Sequence, residues 1–312
     1  MKIRSYIKSP RPLILGGSLL FLSTFNALSA QAADDKPWSI KASAGAEYNS
    51  NISIPELDLA TRSGDSAALL DFSADYEAKI DKSTSLTVGY GFSQNLHKKA
   101  TNFDLQSHIL TAGAKQKFSN FDLGVDYLYI NTSLGRKSFL QLHKATPYIS
   151  FFATPALFVR GEYSFTKKIF KTSSDRDAKT NSFGGSTFYF MNNSKTFIML
   201  TYKYDSVKAN ASHYDYKGHD VKLRYQVKFP WSDRDARFYV TGRYIKRNYT
   251  SITPSISALR RDKKTSIETL LDIPFLENWT ATFKYRYTNA KSNLASADYK
   301  ESLASVDVGY KF

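Results

Sequence analysis

Cysteine is absent from these 312 residues, so no disulfide staples the chain and the small cross-linked secreted folds are excluded. The five histidines, His97, His108, His143, His213 and His219, are scattered without the paired spacing of a zinc site. Long apolar runs are missing as well. Beyond Phe25 no stretch approaches the roughly 20 residues that a membrane-spanning helix needs. Negative charge is short, with 28 acidic against 43 basic residues and a formal charge of +15. Aromatic residues are plentiful, with 21 Tyr and 22 Phe. Many aromatics without apolar runs suit strands that show one face to an apolar phase and the other to water.

The one apolar run lies at the start. Lys2, Arg4, Lys8 and Arg11 precede the run over residues 13–25, and Ala30-Gln31-Ala32 offers small residues for cleavage. This reads as a secretory signal peptide over residues 1–32, leaving 33–312 as one exported domain. A single membrane helix is the alternative, but the run is too short for a bilayer. Removing the four signal cations leaves +11 for the exported part. A balance of that size often points to nucleic acid. Export turns the expectation to anionic lipopolysaccharide, anionic solutes or acidic polymers, with no nucleic acid.

The repeating unit has a period of two. Trp279, Ala281, Phe283, Tyr285 and Tyr287 alternate with Thr280, Thr282, Lys284 and Arg286, which predicts a strand. The same alternation carries Leu86 to Phe92, Phe121 to Tyr129, Val159 to Phe165 and Val221 to Phe229. Short connections near 81–83, 119–120, 153–156, 192–194, 230–235 and 276–278 take turns with longer polar ones near 49–65, 97–103, 133–137, 170–177, 208–215, 250–262 and 291–298. This predicts an all-β chain: a single antiparallel transmembrane up-and-down β-barrel of about 14 strands. Its place is the outer membrane of a Gram-negative bacterium, with both chain ends in the periplasm. A soluble sandwich or lipocalin-like barrel is the alternative, but its strands are nearer five or six residues. Closure also removes the edges that lipid could not satisfy.

With the aromatic face outward, Glu47, Asp71, Asp75, Glu77, Asp122 and Asp126 form an acidic part of the lumen lining. Arg160 and a basic track of Lys203, Lys222, Arg224, Lys228, Arg237, Arg243, Arg247, Lys284 and Arg286 form the rest. If Phe229 pairs with Ala236, Lys222 falls opposite Arg243 and Lys228 opposite Arg237, an unfavourable pairing unless something screens it. The equivalent register in the next hairpin sets Arg286 against Glu268. Two readings stay open: a mutually paired wall filling a narrow barrel, or a track that concentrates anions. Faces are ambiguous over 138–152 and 178–191. Loops 250–262 and 50–65 are long enough to fold over or into the mouth. Basic residues at the outer ends, including Lys167, Arg260 and Lys263, fit contact with lipopolysaccharide phosphates.

The final SVDVGYKF places Tyr310 and Phe312 on the lipid face of a strand that closes against one starting near Ser39. A terminal Phe in that setting resembles the signal read by the barrel-assembly machinery. No Ser and His share a local signature of nucleophilic catalysis. The chain is expected not to be an enzyme, with no cofactor and no metal.

Ala44-Gly-Ala-Glu-Tyr-Asn-Ser-Asn-Ile52, with its Ser-Asn exit into the first loop, resembles the start of the barrel in the surface lipoprotein assembly modifier family. Related porins of exopolysaccharide loci are the near alternative. The resemblance implies a barrel that helps move lipoproteins or small secreted partners across the outer membrane. That family places a periplasmic helical-repeat domain before its barrel. Here the first strand follows the signal within a few residues, so the resemblance covers the barrel part only. The expected function is transport, by a porin-like channel or an export conduit with a basic lumen wall. The alternative is a non-conducting accessory barrel that binds a protein partner or lipopolysaccharide through its loops.

Overall fold

A computed structural model of the chain describes residues 37–312, and the signal peptide expected over 1–32 lies outside the described residues. The strands are β1 (Trp38–Asn49), β2 (Ser53–Ile54), β3 (Leu59–Ala60), β4 (Asp65–Lys79), β5 (Thr84–His97), β6 (Leu105–Lys117), β7 (Asp122–Leu134) and β8 (Lys137–Thr154). They continue with β9 (Leu157–Phe170), β10 (Ala178–Met191), β11 (Thr196–Ala209), β12 (Tyr216–Trp231), β13 (Arg234–Thr253), β14 (Ala258–Pro274), β15 (Trp279–Ser292) and β16 (Tyr299–Lys311). All except β2 and β3 close into one antiparallel barrel of 14 strands, each paired with its chain neighbour. The seam joins β1 to β16, with Lys41 opposite Lys311 and Ala44 opposite Val308. Every backbone edge is thereby consumed, which lipid requires.

Turn chemistry explains the alternation of connections. At the β4–β5 turn the Asp81 carboxylate accepts from the Ser83 amide at 2.6 Å and the Thr84 amide at 2.7 Å. These bonds and the two hydroxyls hold it down to about 2. On the other rim β7 and β8 are joined by Gly135 and Arg136 alone, both at positive φ (55° and 65°). Such a two-residue hairpin matches the twist of its strands only with left-handed residues, hence the glycine. The 133–137 connection is therefore tighter than its polar composition predicts. The 250–262 connection likewise shrinks to residues 254–257, because β13 runs to Thr253 and β14 starts at Ala258.

Alternation sorts the two faces. Leu223 (53% exposed), Phe283 (47%) and Phe183 (61%) point outward, while their sequence neighbours Lys222, Arg224 and Ser182 are buried inside. The rule breaks near the periplasmic end of β10 and β11. There Phe188, Phe190, Phe197 and Met199 turn inward and pack with Phe158 into a closed apolar cluster. A second interior cluster sits at the outer mouth, where Ile54 and Leu57 of the first loop meet Phe139, Leu140 and Phe170. The interior thus has apolar packing at both ends and charged residues between.

The outward face carries a repeated device. Tyr90 bonds His108 at 2.9 Å, Tyr127 bonds His143 at 2.8 Å, and Tyr202 bonds His219 at 2.9 Å, each between a rising strand and the next descending one. Tyr163 and Asn181 repeat the relation on β9 and β10. Amphipathic rings of this kind settle at a membrane interface. Nearer the outer rim, lysines stand directly opposite one another across adjacent strands. Lys167, Lys179 and Lys208 form one row, and Lys246, Lys263 and Lys291 another.

Candidate functional site

The interior of β12–β15 gathers most of the predicted basic residues, and the hairpin registers set their spacing. Lys222 lies opposite Arg243, Lys228 opposite Arg237, and Arg286 opposite Glu268. Lys222, Arg224 and Arg286 are only 5%, 7% and 3% exposed. Burying like charges in adjacent positions is costly, and the barrel offsets much of that cost locally. Arg243 turns to Asp220, its Nε donating to Oδ1 at 2.8 Å. Arg237 reaches Asp272 on β14 at 3.5 Å. Arg286 contacts Glu301 at 3.3 Å and Glu268 at 3.8 Å. Arg224 donates through Nε to Thr241 at 3.0 Å and stands over the Tyr239 ring.

Lys222 is the exception. It lies between Arg224 and Arg243, and among the described residues no acceptor or carboxylate is bonded to it. Lys203 pairs with Asp205 at 2.8 Å. Lys284 lies near Asp307 and within reach of the field of Asp71 on β4. Arg247, at the outer end of β13, lies 5.0 Å from the Tyr216 ring.

The acidic residues are distributed along two inner walls rather than gathered. Asp71, Asp75 and Glu77 line β4, and Asp122 and Asp126 line β7. Asp126 accepts from Arg160 at 2.9 Å, and Arg160 also reaches Glu162 at 3.1 Å and lies 3.6 Å from the Tyr148 ring. The histidines form no shared site. Those on the lipid face pair with tyrosines, and His97 bonds Asp104 at 3.2 Å. Among the described residues no group of three His, Asp or Glu could hold a metal ion.

The first loop, residues 50–64, adds residues that composition alone does not single out. Its β2–β3 hairpin folds into the mouth and plants Asp58 between Arg176 (2.9 Å), from the β9–β10 connection, and Arg260 (2.7 Å), from β14. Arg176 also donates to the Glu56 carbonyl at 2.9 Å. Burial pushes the Asp58 carboxyl up, but the hydrogen bonds and charges of Arg260 and Arg176 outweigh it and hold the group below its ordinary range. The signal for this loop was its apolar content: Ile52, Ile54 and Leu57 are out of place in a solvated connection, and here all three turn away from solvent, Ile54 and Leu57 into a core of their own, while Leu59 stays exposed.

The seam holds Tyr310 and Phe312 on the lipid face. Tyr310 packs 4.9 Å from Trp279 and 4.8 Å from Phe312, and the Phe312 amide donates to the Ile40 carbonyl at 3.0 Å.

Comparison with known proteins agrees with this architecture. OmpT expressed in the outer membrane of Vibrio cholerae is 10% identical and superposes with a TM-score of 0.53, over 90% of this chain and 99% of that one. An anion-selective porin from Comamonas acidovorans is 8% identical, with a TM-score of 0.51 over 88% and 98%. At such identities the likeness concerns the fold. No curated protein matches the chain. The family model described as "surface lipoprotein assembly modifier" matches residues 38–312, the whole of the barrel. With its closed 14-stranded wall, lipid-facing aromatics and that match over its full length, the chain is an outer-membrane β-barrel and belongs to the surface lipoprotein assembly modifier family.

Proposed function

We propose that this barrel is a transport conduit, occluded at rest, that assists delivery of a lipoprotein or secreted partner to the cell surface and guides anionic or polar groups of its cargo along the basic wall. Lys222 carries this reading. A buried amine between two arginines, on which Asp220 and Glu268 act only through space, is costly to hold charged until an anion enters. It attracts an anionic group that enters beside it. The family description supplies the class of cargo. Occlusion follows from the first loop seated and clamped in the mouth.

Planar-bilayer recording tests the electrostatic half. The native barrel is expected to conduct little. Release of the first loop by Asp58→Ala is expected to give an anion-preferring conductance that falls when Lys222 and Arg243 become Glu. A barrel that stays silent with the loop released would favour an accessory role that presents loops to a partner. The two outward lysine rows supply a second partner in this proposal, the phosphates of lipopolysaccharide, which would relieve their mutual repulsion. Tyr310 and Phe312 are assigned here to recognition by the barrel-assembly machinery.

A further inference from the structure

The first loop roofs a small, partly open cavity against the outer halves of β13, β14 and β15. Three inward-facing cations line it, Arg247, Arg260 and Lys264, against two carboxylates, Asp58 and Asp262, while Lys263 and Lys291 border it with side chains that face outward. The carboxylates are already committed. Asp58 serves Arg176 and Arg260. Asp262 accepts from Arg260 at 3.0 and 2.8 Å and from the Ser292 hydroxyl at 2.6 Å. Glu301, which also bears on Lys264, accepts from Ser53 at 2.7 Å and from Arg286 at 3.3 Å.

Arg247 is left over. Its guanidinium stands by the Tyr216 ring, feels Asp262 and Glu56 only through space, and among the described residues has no bonded acceptor. On the strand beside it, Lys264 extends its ammonium to the Tyr299 hydroxyl at 3.3 Å and lines the same space. A planar guanidinium offers a rigid fork of donors suited to two oxygens of one anion, and an ammonium beside it supplies a second charge. Partial enclosure beneath the loop strengthens both.

We infer that this cavity is a binding site for a compact phosphate group, held by the Arg247 fork and the Lys264 ammonium beneath the first loop. The barrel wall separates the site from lipid acyl chains, so the phosphate belongs to a soluble ion or to a soluble molecule that reaches the mouth. The inference goes beyond the conduit reading, because it stands or falls by binding and not by passage of cargo.

Isothermal titration of the full barrel in detergent micelles tests it, with inorganic phosphate as the probe and chloride of equal ionic strength as the blank. One saturable site per barrel is expected, weakened at least tenfold by Arg247→Gln. Arg261→Gln, whose side chain faces outward, is expected to leave binding unchanged. If Arg247→Gln does not fold, judged by heat-modifiable migration on a gel, Lys264→Met decides and is expected to weaken binding by a similar factor. Absence of saturable heat above the chloride blank would overturn the site. So would equal losses from Arg261→Gln, which would mark general attraction to a basic surface.

Discussion

At the scale of single residues, the clamp on the first loop makes the sharpest claim. Asp58 is the acceptor for two arginines, and Arg260 is only 3% exposed. Removing one partner of such a buried pair costs about 3–5 kcal/mol, because the remaining charge stays buried without its counterion. Here that cost falls on docking of the loop more than on the barrel. Asp58→Ala is therefore expected to raise trypsin cleavage after Arg62 at least tenfold while heat-modifiable migration of the barrel stays native. Unchanged cleavage would contradict the clamp. The pH dependence has a definite sign. The folded-state carboxyl lies below its ordinary value, so the clamp's contribution is fully present above the ordinary value of about 4 and decays as pH falls through the lower folded one. Protection of Arg62 should be flat from pH 7 to 5 and lost only below about pH 4. Residue-level pairing was partly legible. The register of Lys222 with Arg243 follows from one hairpin assumption, and the structure has it. The turn of Arg243 toward Asp220 was not legible, because side-chain direction along a strand is set by packing and not by period.

Fourteen strands and their alternating connections could be read from period two because lipid imposes it on every outward position. The exceptions sit where lipid does not decide. On β10, the stretch 178–191 offers aromatics to both faces, and the inward set Phe188 and Phe190 closes on Phe197 of β11. Phe197→Ala should cost about 3–5 kcal/mol of stability in urea titration, the loss expected for a buried phenylalanine. A loss as small as that of an exposed aromatic such as Phe283 would contradict the inward assignment. The lysine rows make an element-scale claim of opposite sign. Lys179 faces Lys167 on one side and Lys208 on the other, so Lys179→Gln should stabilise the barrel by roughly 0.2–1 kcal/mol in lipopolysaccharide-free micelles. That gain should vanish when lipopolysaccharide is present. At the seam, deletion of Phe312 removes its amide bond to Ile40 and the ring against Tyr310. Folded protein in the outer membrane is expected to fall several-fold, and normal abundance of the truncated barrel would count against an assembly role for this end.

For the whole molecule, the interior decides function. A 14-stranded wall has room for a lumen, and here a clamped loop sits in its mouth, ion pairs line its middle and an apolar cluster lies on the β9–β11 wall at the periplasmic end. The barrel itself was plain from the sequence because its outer face answers to one solvent. Its filling was not, because the first loop's contacts reach Arg176, Arg260 and Glu301, more than a hundred residues away and beyond the reach of local periodicity. The account's central claim is that this filled barrel opens to deliver a partner to the cell surface. Protease shaving of intact cells, with surface lipoproteins quantified by mass spectrometry, tests it most directly. Deleting the gene should abolish surface exposure of at least one lipoprotein while that protein accumulates in the periplasm, and restoring the gene should recover it. An identical pattern of surface lipoproteins with and without the barrel would contradict the account.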